Sequence, residues 1–225
     1  MKNLLAVAVL LVSGLLGAAQ PAASREAPPD PPPIIDYRER FLPTVARQGM
    51  VVGTEQLATE IGRQILEQGG NAVDAAVATG FALAVTYPRA GNLAGGGFML
   101  IHLAGENRQV FIDYRETAPA AATRDMFLDD KGEIDRTLAY ASHLAAGVPG
   151  TVAGLLMALE KYGTMSREQV LAPAIALARN GFPVSFSLNS EITARGQTLK
   201  GHPEANRLFF RADGEPFDIG ETWRQ

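Results

Sequence analysis

The chain has 225 residues, 47% of them hydrophobic, a formal net charge of −4 and no cysteine. The hydrophobic share supports a buried core and argues against disorder. The lack of cysteine excludes disulfides, thiolate nucleophiles and Cys-ligated zinc. The mild acidity supplies neither the basic face expected of a nucleic-acid binder nor a polybasic membrane patch.

The first residues have the pattern of a leader. Lys2 is the only charge before Arg25, Leu4 to Leu16 is apolar apart from Ser13 and Gly14, and the small residues Gly17, Ala18, Ala19, Ala22 and Ala23 follow. A basic start, short apolar run and small-residue exit describe a secretory signal peptide over residues 1–23. The run is shorter than the roughly 20 residues of a stable membrane span. An uncleaved anchor is the alternative, and a secreted or periplasmic location is the expectation. Residues 24–46 form an N-terminal extension in which Pro28, Pro29, Pro31, Pro32 and Pro33 specify an extended polyproline linker.

The folded domain is expected from Arg47 to Gln225. Leu57, Ala58, Ile61, Ile65 and Leu66 recur at helical spacing, which predicts a helix over 54–68 capped by Thr54 and ended by Gly69-Gly70. Asn71 and Asp74 form the capping pattern of a second helix, 72–85. That helix is apolar all round, so it must be buried on most sides. A glycine-rich loop, 91–97, precedes two strands, 98–103 and 109–114, turning at Gly105-Glu106-Asn107. A helix follows over 151–162, with Val152, Leu155, Leu156 and Leu159 on its face. Ser166 and Gln169 open another, which Pro173 should kink or split before Gly181 ends it. A further helix is expected over 185–195 and a small hairpin over 205–217 around Asp213-Gly214. Helices beside so few strands indicate an α+β layering that is incomplete as a fold, because two strands alone are marginal.

Few other patterns carry chemistry. Gly95-Gly96-Gly97 lacks both the Lys-Ser/Thr ending of a phosphate loop and the strand-to-helix setting of a dinucleotide fingerprint. Close backbone approach is the reading preferred for it. Asp129 to Asp135 is acidic but lacks the order of a calcium loop. His102, His143 and His202 are too scattered for a metal pair. Ser142-His143 is a sequence neighbour pair, which is not triad geometry.

Four ordered stretches carry a family resemblance. They are Gly69-Gly70-Asn71-Ala72-Val73-Asp74-Ala75-Ala76-Val77-Ala78, Gly91-Asn92-Leu93-Ala94-Gly95-Gly96-Gly97-Phe98-Met99-Leu100, Asp113-Tyr114-Arg115-Glu116-Thr117-Ala118-Pro119 and Gly147-Val148-Pro149-Gly150-Thr151-Val152-Ala153-Gly154. Together they resemble the N-terminal part of the large subunit of γ-glutamyltransferases, also called glutathione hydrolases. The resemblance implies an N-terminal-nucleophile hydrolase αββα sandwich, present only in part. It also implies a self-cleaving precursor and turnover of glutathione and other γ-glutamyl substrates by the N-terminal threonine of a small subunit. The resemblance implies neither metal nor organic cofactor. The nucleophilic threonine should lie beyond this chain, so no catalytic residue is expected here and the chain alone should be inactive.

One binding residue carries over. Arg115 matches the arginine of the family's Arg-Glu-x-Ala-Pro motif, which grips the α-carboxylate of the γ-glutamyl group. A guanidinium suits a carboxylate through two parallel hydrogen bonds. From the residues alone, a structural arginine paired with Glu116 or Asp113 stands as the other reading. At the level of function, a related self-processing amidase of the cephalosporin-acylase kind and a non-catalytic γ-glutamyl-binding product are the alternatives.

Overall fold

A computed structural model describes residues 44–225 of the protein. The leader and most of the proline-rich stretch lie outside the described residues.

The first helix, α1 (Gln56–Glu67), begins two residues later than the expected start because Glu55, not Thr54, caps it. The Glu55 carboxylate accepts from the Leu57 and Ala58 backbone N–H groups and from the Thr86 hydroxyl (3.1, 2.8 and 2.7 Å). This cap therefore fastens the start of α1 to the end of α2 (Ala72–Thr86). The expected capping box is present on α2: Asn71 Oδ1 accepts from Val73 and Asp74 N–H, and Asp74 returns a bond to the Asn71 N–H. As an all-apolar helix should, α2 buries most of its circumference, including Val73, Ala75, Val77, Ala78, Phe81 and Ala82.

The strands β1 (Phe98–Leu103) and β2 (Arg108–Asp113) pair antiparallel, with Phe98 opposite Asp113 and Leu103 opposite Arg108. Asn107 turns the chain between them in the left-handed region, at φ 47°. The strand period of two divides the residues cleanly. Met99, Ile101, Leu103, Val110, Ile112 and Tyr114 face the helices. Phe98, Leu100 and Phe111 face outward and are 54, 72 and 61% exposed, so helices cover one face of this sheet and, among the described residues, nothing covers the other.

A short helix absent from the sequence reading, α3 (Arg136–Ala141), is capped by Asp135. Next come α4 (Thr151–Tyr162) and α5 (Arg167–Asn180). Of the expected face of α4, Leu155 and Leu159 are buried and Leu156 partly so, but Val152 is exposed; Gly154 and Ala158 complete the buried side. Pro173 does not split α5, which runs unbroken past it. Pro173 is half-buried in a helix that packs mainly through Val170 and Ala174. The main core joins α1, α2, α4, α5 and the inner sheet face.

A second core gathers the C-terminal elements: β3 (Phe182–Pro183), α6 (Phe186–Ala194), α7 (Gly196–Lys200), α8 (Pro203–Phe209) and β4 (Thr222–Trp223). The hairpin expected over 205–217 is corrected here. Its first half is helical α8, and only a single bridge, Phe210 to Pro216, flanks the Asp213-Gly214 turn. The β3–β4 pairing has no periodic signal because each strand is two residues long. Trp223 anchors this core: it is fully buried, meets Phe182 edge-on, and donates its indole N–H to the Leu208 carbonyl at 2.8 Å.

Among the described residues no helix is long and apolar enough to cross a membrane. Nor do three or more His, Asp or Glu side chains gather at metal-binding separations.

Candidate functional site: the Arg115 turn

Arg115 lies just past the end of β2, where three of the sequence motifs converge. The glycine loop 91–97 runs alongside the residues around Arg115, and the turn into α4 closes the other side. Tyr114 and Gly97 exchange backbone hydrogen bonds (3.0 and 3.3 Å), which extends the β1–β2 ladder to the edge of the loop. Thr117 and Val148 exchange another pair (3.3 and 2.9 Å) two residues beyond Arg115. The arginine backbone is thereby fixed on both sides.

The glycines make this approach possible. A Cβ on Gly96 would sit 2.6 Å from the Tyr114 carbonyl oxygen and 2.7 Å from the Glu116 backbone nitrogen. A Cβ on Gly150 would overlap the Tyr114 carbonyl itself. The close-approach reading of Gly95-Gly96-Gly97 holds, and Gly150 and Gly154 extend it from the α4 side.

The Arg115 side chain is 60% exposed. Its Nε donates to Glu116 Oε2 at 3.0 Å, its guanidinium carbon lies 5.7 Å over the Phe98 ring, and its backbone N–H donates to Asp113 Oδ1 at 3.0 Å. Phe98 in turn stacks on Phe111, with ring centroids 5.6 Å apart. The guanidinium thus rests on an aromatic face with one edge tied to a carboxylate. Both Nη groups make no hydrogen bond among the described residues, leaving two parallel donors of the kind that recognise a carboxylate. Its own backbone N–H and then the Arg115 guanidinium hold the Glu116 carboxyl below the usual carboxylate range. Burial against the glycines pushes the Tyr114 phenol up.

Arg115 is thus paired with Glu116, as one sequence reading expected, while among the described residues its two Nη groups have no partner. The residues that sequence reasoning passed over are the supports. Phe98 and Thr151 stood in quoted motifs, read only as the start of a strand and of a helix. Asn92 stood in a quoted motif with no role attached, and nothing in the residue spacing marks it as a partner of Thr151.

The other candidates do not assemble into a site. The Ser142 hydroxyl donates to the Leu138 carbonyl at 2.6 Å, and neighbouring His143 is exposed. Asp129 is occupied by the Lys131 and Glu133 N–H groups of its own turn.

Residues 58–225 match the gamma-glutamyltranspeptidase family. The chain is 49% identical over 218 residues to a glutathione hydrolase proenzyme of Escherichia coli (strain K12), covering 96% of this chain and 36% of that protein. It is 40% identical over 201 residues to the Acylase ACY 1 proenzyme of Pseudomonas sp. (strain V22), covering 86% of this chain and 36% of that protein. The crystal structure of Helicobacter pylori gamma-glutamyltranspeptidase superposes with a TM-score of 0.78 at 42% identity, over 82% of this chain and 52% of that one. The chain thus spans about a third of the length of these curated relatives. The open outer face of β1–β2 fits a sandwich of which this chain supplies part, the N-terminal-nucleophile hydrolase architecture. On sequence motif, family match and fold together, the chain belongs to the γ-glutamyltranspeptidase family.

Proposed function

We propose that this chain supplies the γ-glutamyl-binding part of a secreted or periplasmic γ-glutamyltransferase/glutathione hydrolase, with Arg115 gripping the α-carboxylate of the donor. The observation that carries the proposal is the Arg115 fork, without a partner among the described residues and presented on Phe98 at the turn that bears the family motif. A small subunit from the same precursor would supply the nucleophilic threonine, whose own α-amine acts as the base. That threonine attacks the γ-glutamyl carbonyl, the amine departs, and water or an acceptor amine releases the γ-glutamyl group. In this division of labour the present residues bind and orient and make no covalent bond, so the chain alone should be inactive. The leader pattern of residues 1–23 supports export.

Arg115→Lys in the complete two-subunit enzyme tests the assignment. Charge is kept but the parallel pair is lost, so donor KM should rise about ten- to a hundredfold. An unchanged donor KM removes Arg115 from the binding site. The 40% identity to an acylase proenzyme favours a second reading, a self-processing amidase acting on another acyl group. Side-by-side turnover of glutathione and a cephalosporin-type amide separates the two.

A further inference from the structure

Asn92 and Thr151 are 59 positions apart, yet they hold the two walls of the Arg115 turn to each other. The Thr151 hydroxyl donates to Asn92 Oδ1 at 2.7 Å. The same oxygen accepts the Gly95 N–H at 2.8 Å, while Asn92 Nδ2 donates to the Ala90 carbonyl at 3.0 Å. The Gly95 carbonyl then accepts from Gly150 and Thr151 N–H at 2.8 and 3.0 Å. The first turn of α4 is therefore tied to the glycine loop twice, once through side chains and once through backbone, with α4 donating each time.

Between these walls lies the backbone of Tyr114, Arg115 and Glu116. Gly96 meets that backbone from one side and Gly150 from the other, while Gly97 and Gly154 clasp the Tyr114 ring and its Cβ, all without room for a methyl group. At Gly96 and Gly150 the contact is backbone on backbone, so a change in the wall spacing there bears on the position of Arg115. Thr151 is buried, which makes its hydroxyl bond a fixed feature of the fold and not a solvent-exchanged one.

We propose that Asn92 and Thr151 are positioning residues that set the Arg115 fork for the donor carboxylate. This rests on the reading of Arg115 given above. Loss of the Thr151 hydroxyl loosens one neutral hydrogen bond's worth of spacing, which corresponds to about a three- to tenfold loss of donor affinity.

The test uses the complete processed enzyme and four variants: Thr151→Val, Thr151→Ser, Asn92→Ala and Arg115→Lys. Thr151→Val keeps the side-chain shape and removes the donor. It should raise donor KM about three- to tenfold with kcat within about twofold, and Thr151→Ser should restore it. Asn92→Ala, which removes the shared acceptor, should reproduce the defect and serves if Thr151→Val folds poorly. In an Arg115→Lys background, Thr151→Val should raise KM no further, because a brace acting through Arg115 has nothing left to position. A purely structural role would lower Tm, leave KM unchanged and add independently of Arg115; that result overturns the proposal. If Arg115→Lys raises KM but neither brace variant does, the brace falls and the binding assignment stands. If Arg115→Lys has no effect, both fall.

Discussion

The Asp74 carboxylate is clasped by Thr164, 90 residues away in the chain. Asp74 is fully buried, and it accepts from the Thr164 hydroxyl (2.7 Å) and from the backbone N–H groups of Thr164, Met165 and Asn71. One side chain therefore caps α2 and pins the α4–α5 turn onto it, while Asn71 Nδ2 reinforces the junction by donating to the Tyr162 carbonyl at 2.7 Å.

Asp74→Asn should destabilise the complete protein, because an amide nitrogen would face donors that now meet carboxylate oxygen. Each orphaned buried donor costs about 1–3 kcal/mol. Urea denaturation of the variant gives the value, and a stability equal to wild type would mean that the junction is held by packing alone.

The same group gives a signed pH dependence. Burial pushes the Asp74 carboxyl up, but the hydrogen bonds from Thr164, Asn71 and Met165 together outweigh it and leave it below the ordinary carboxylate range. A depressed folded value means the unfolded chain binds protons first as the pH drops. The Asp74 contribution is thus complete above the unfolded value of about 4 and fades as pH falls from there toward the lower folded value. Stability curves of wild type and Asp74→Asn should converge on acidification. Parallel curves down to pH 3 would remove Asp74 from the acid response.

Much of this architecture is legible in the residue order, and the exceptions have physical causes. Helix α2 and both capping boxes follow from local chemistry, since Asn71/Asp74 and Ser166/Gln169 each satisfy backbone groups three residues away. The β1–β2 ladder follows from strand periodicity and a turn at Asn107. What escaped is non-local. Glu55 displaces Thr54 as the cap because it also reaches Thr86, 31 residues on, a partner no local pattern contains. The pairing of Phe182 with Trp223 is likewise decided by the second core and not by propensity. At the site, Arg115 was visible only through its motif, and the Asn92–Thr151 bond that flanks it spans too many residues to be inferred from spacing.

The Glu55 cap predicts a measurable coupling. Glu55→Ala removes a cap and leaves the buried Thr86 hydroxyl only its bond to the Ala82 carbonyl (3.1 Å), so it should cost about 0.5–2 kcal/mol for the cap alone. Thr86→Val should be less costly in the Glu55→Ala background than in wild type, since the carboxylate partner is already gone. A double-mutant cycle with zero interaction energy would show that the 2.7 Å bond contributes nothing.

Gly150 and Gly105 should respond in opposite ways to the same change. An alanine methyl at Gly150 overlaps the Tyr114 carbonyl and lies 3.2 Å from that of Arg115, both backbone atoms that cannot swing aside. Gly150→Ala should therefore cost about 1–3 kcal/mol or more and raise donor KM in the complete enzyme. Nothing lies within 4 Å of a methyl at Gly105, and its φ is not positive. Gly105→Ala should leave activity unchanged and hold or slightly raise Tm by restricting the unfolded chain. Equal tolerance at the two positions would mean that the α4 turn has freedom to retreat from Arg115.

The sequence predicts that Pro173 kinks or splits α5; the helix is not split, and substitution of the proline is informative in either direction. It sits within α5 between Val170 and Ala174, the two side chains that this helix buries. Proline removes one backbone hydrogen bond and crowds the preceding turn, at a cost of about 3 kcal/mol in a free helix interior. The helix persists because packing against α2 and the Ser166–Gln169 capping box hold its first turns. Pro173→Ala should restore the bond and raise Tm without changing donor KM. A lower Tm would instead mean that the backbone geometry set by proline is what seats Val170 in the core, and that the mismatch between local propensity and fold at this position is used by the packing.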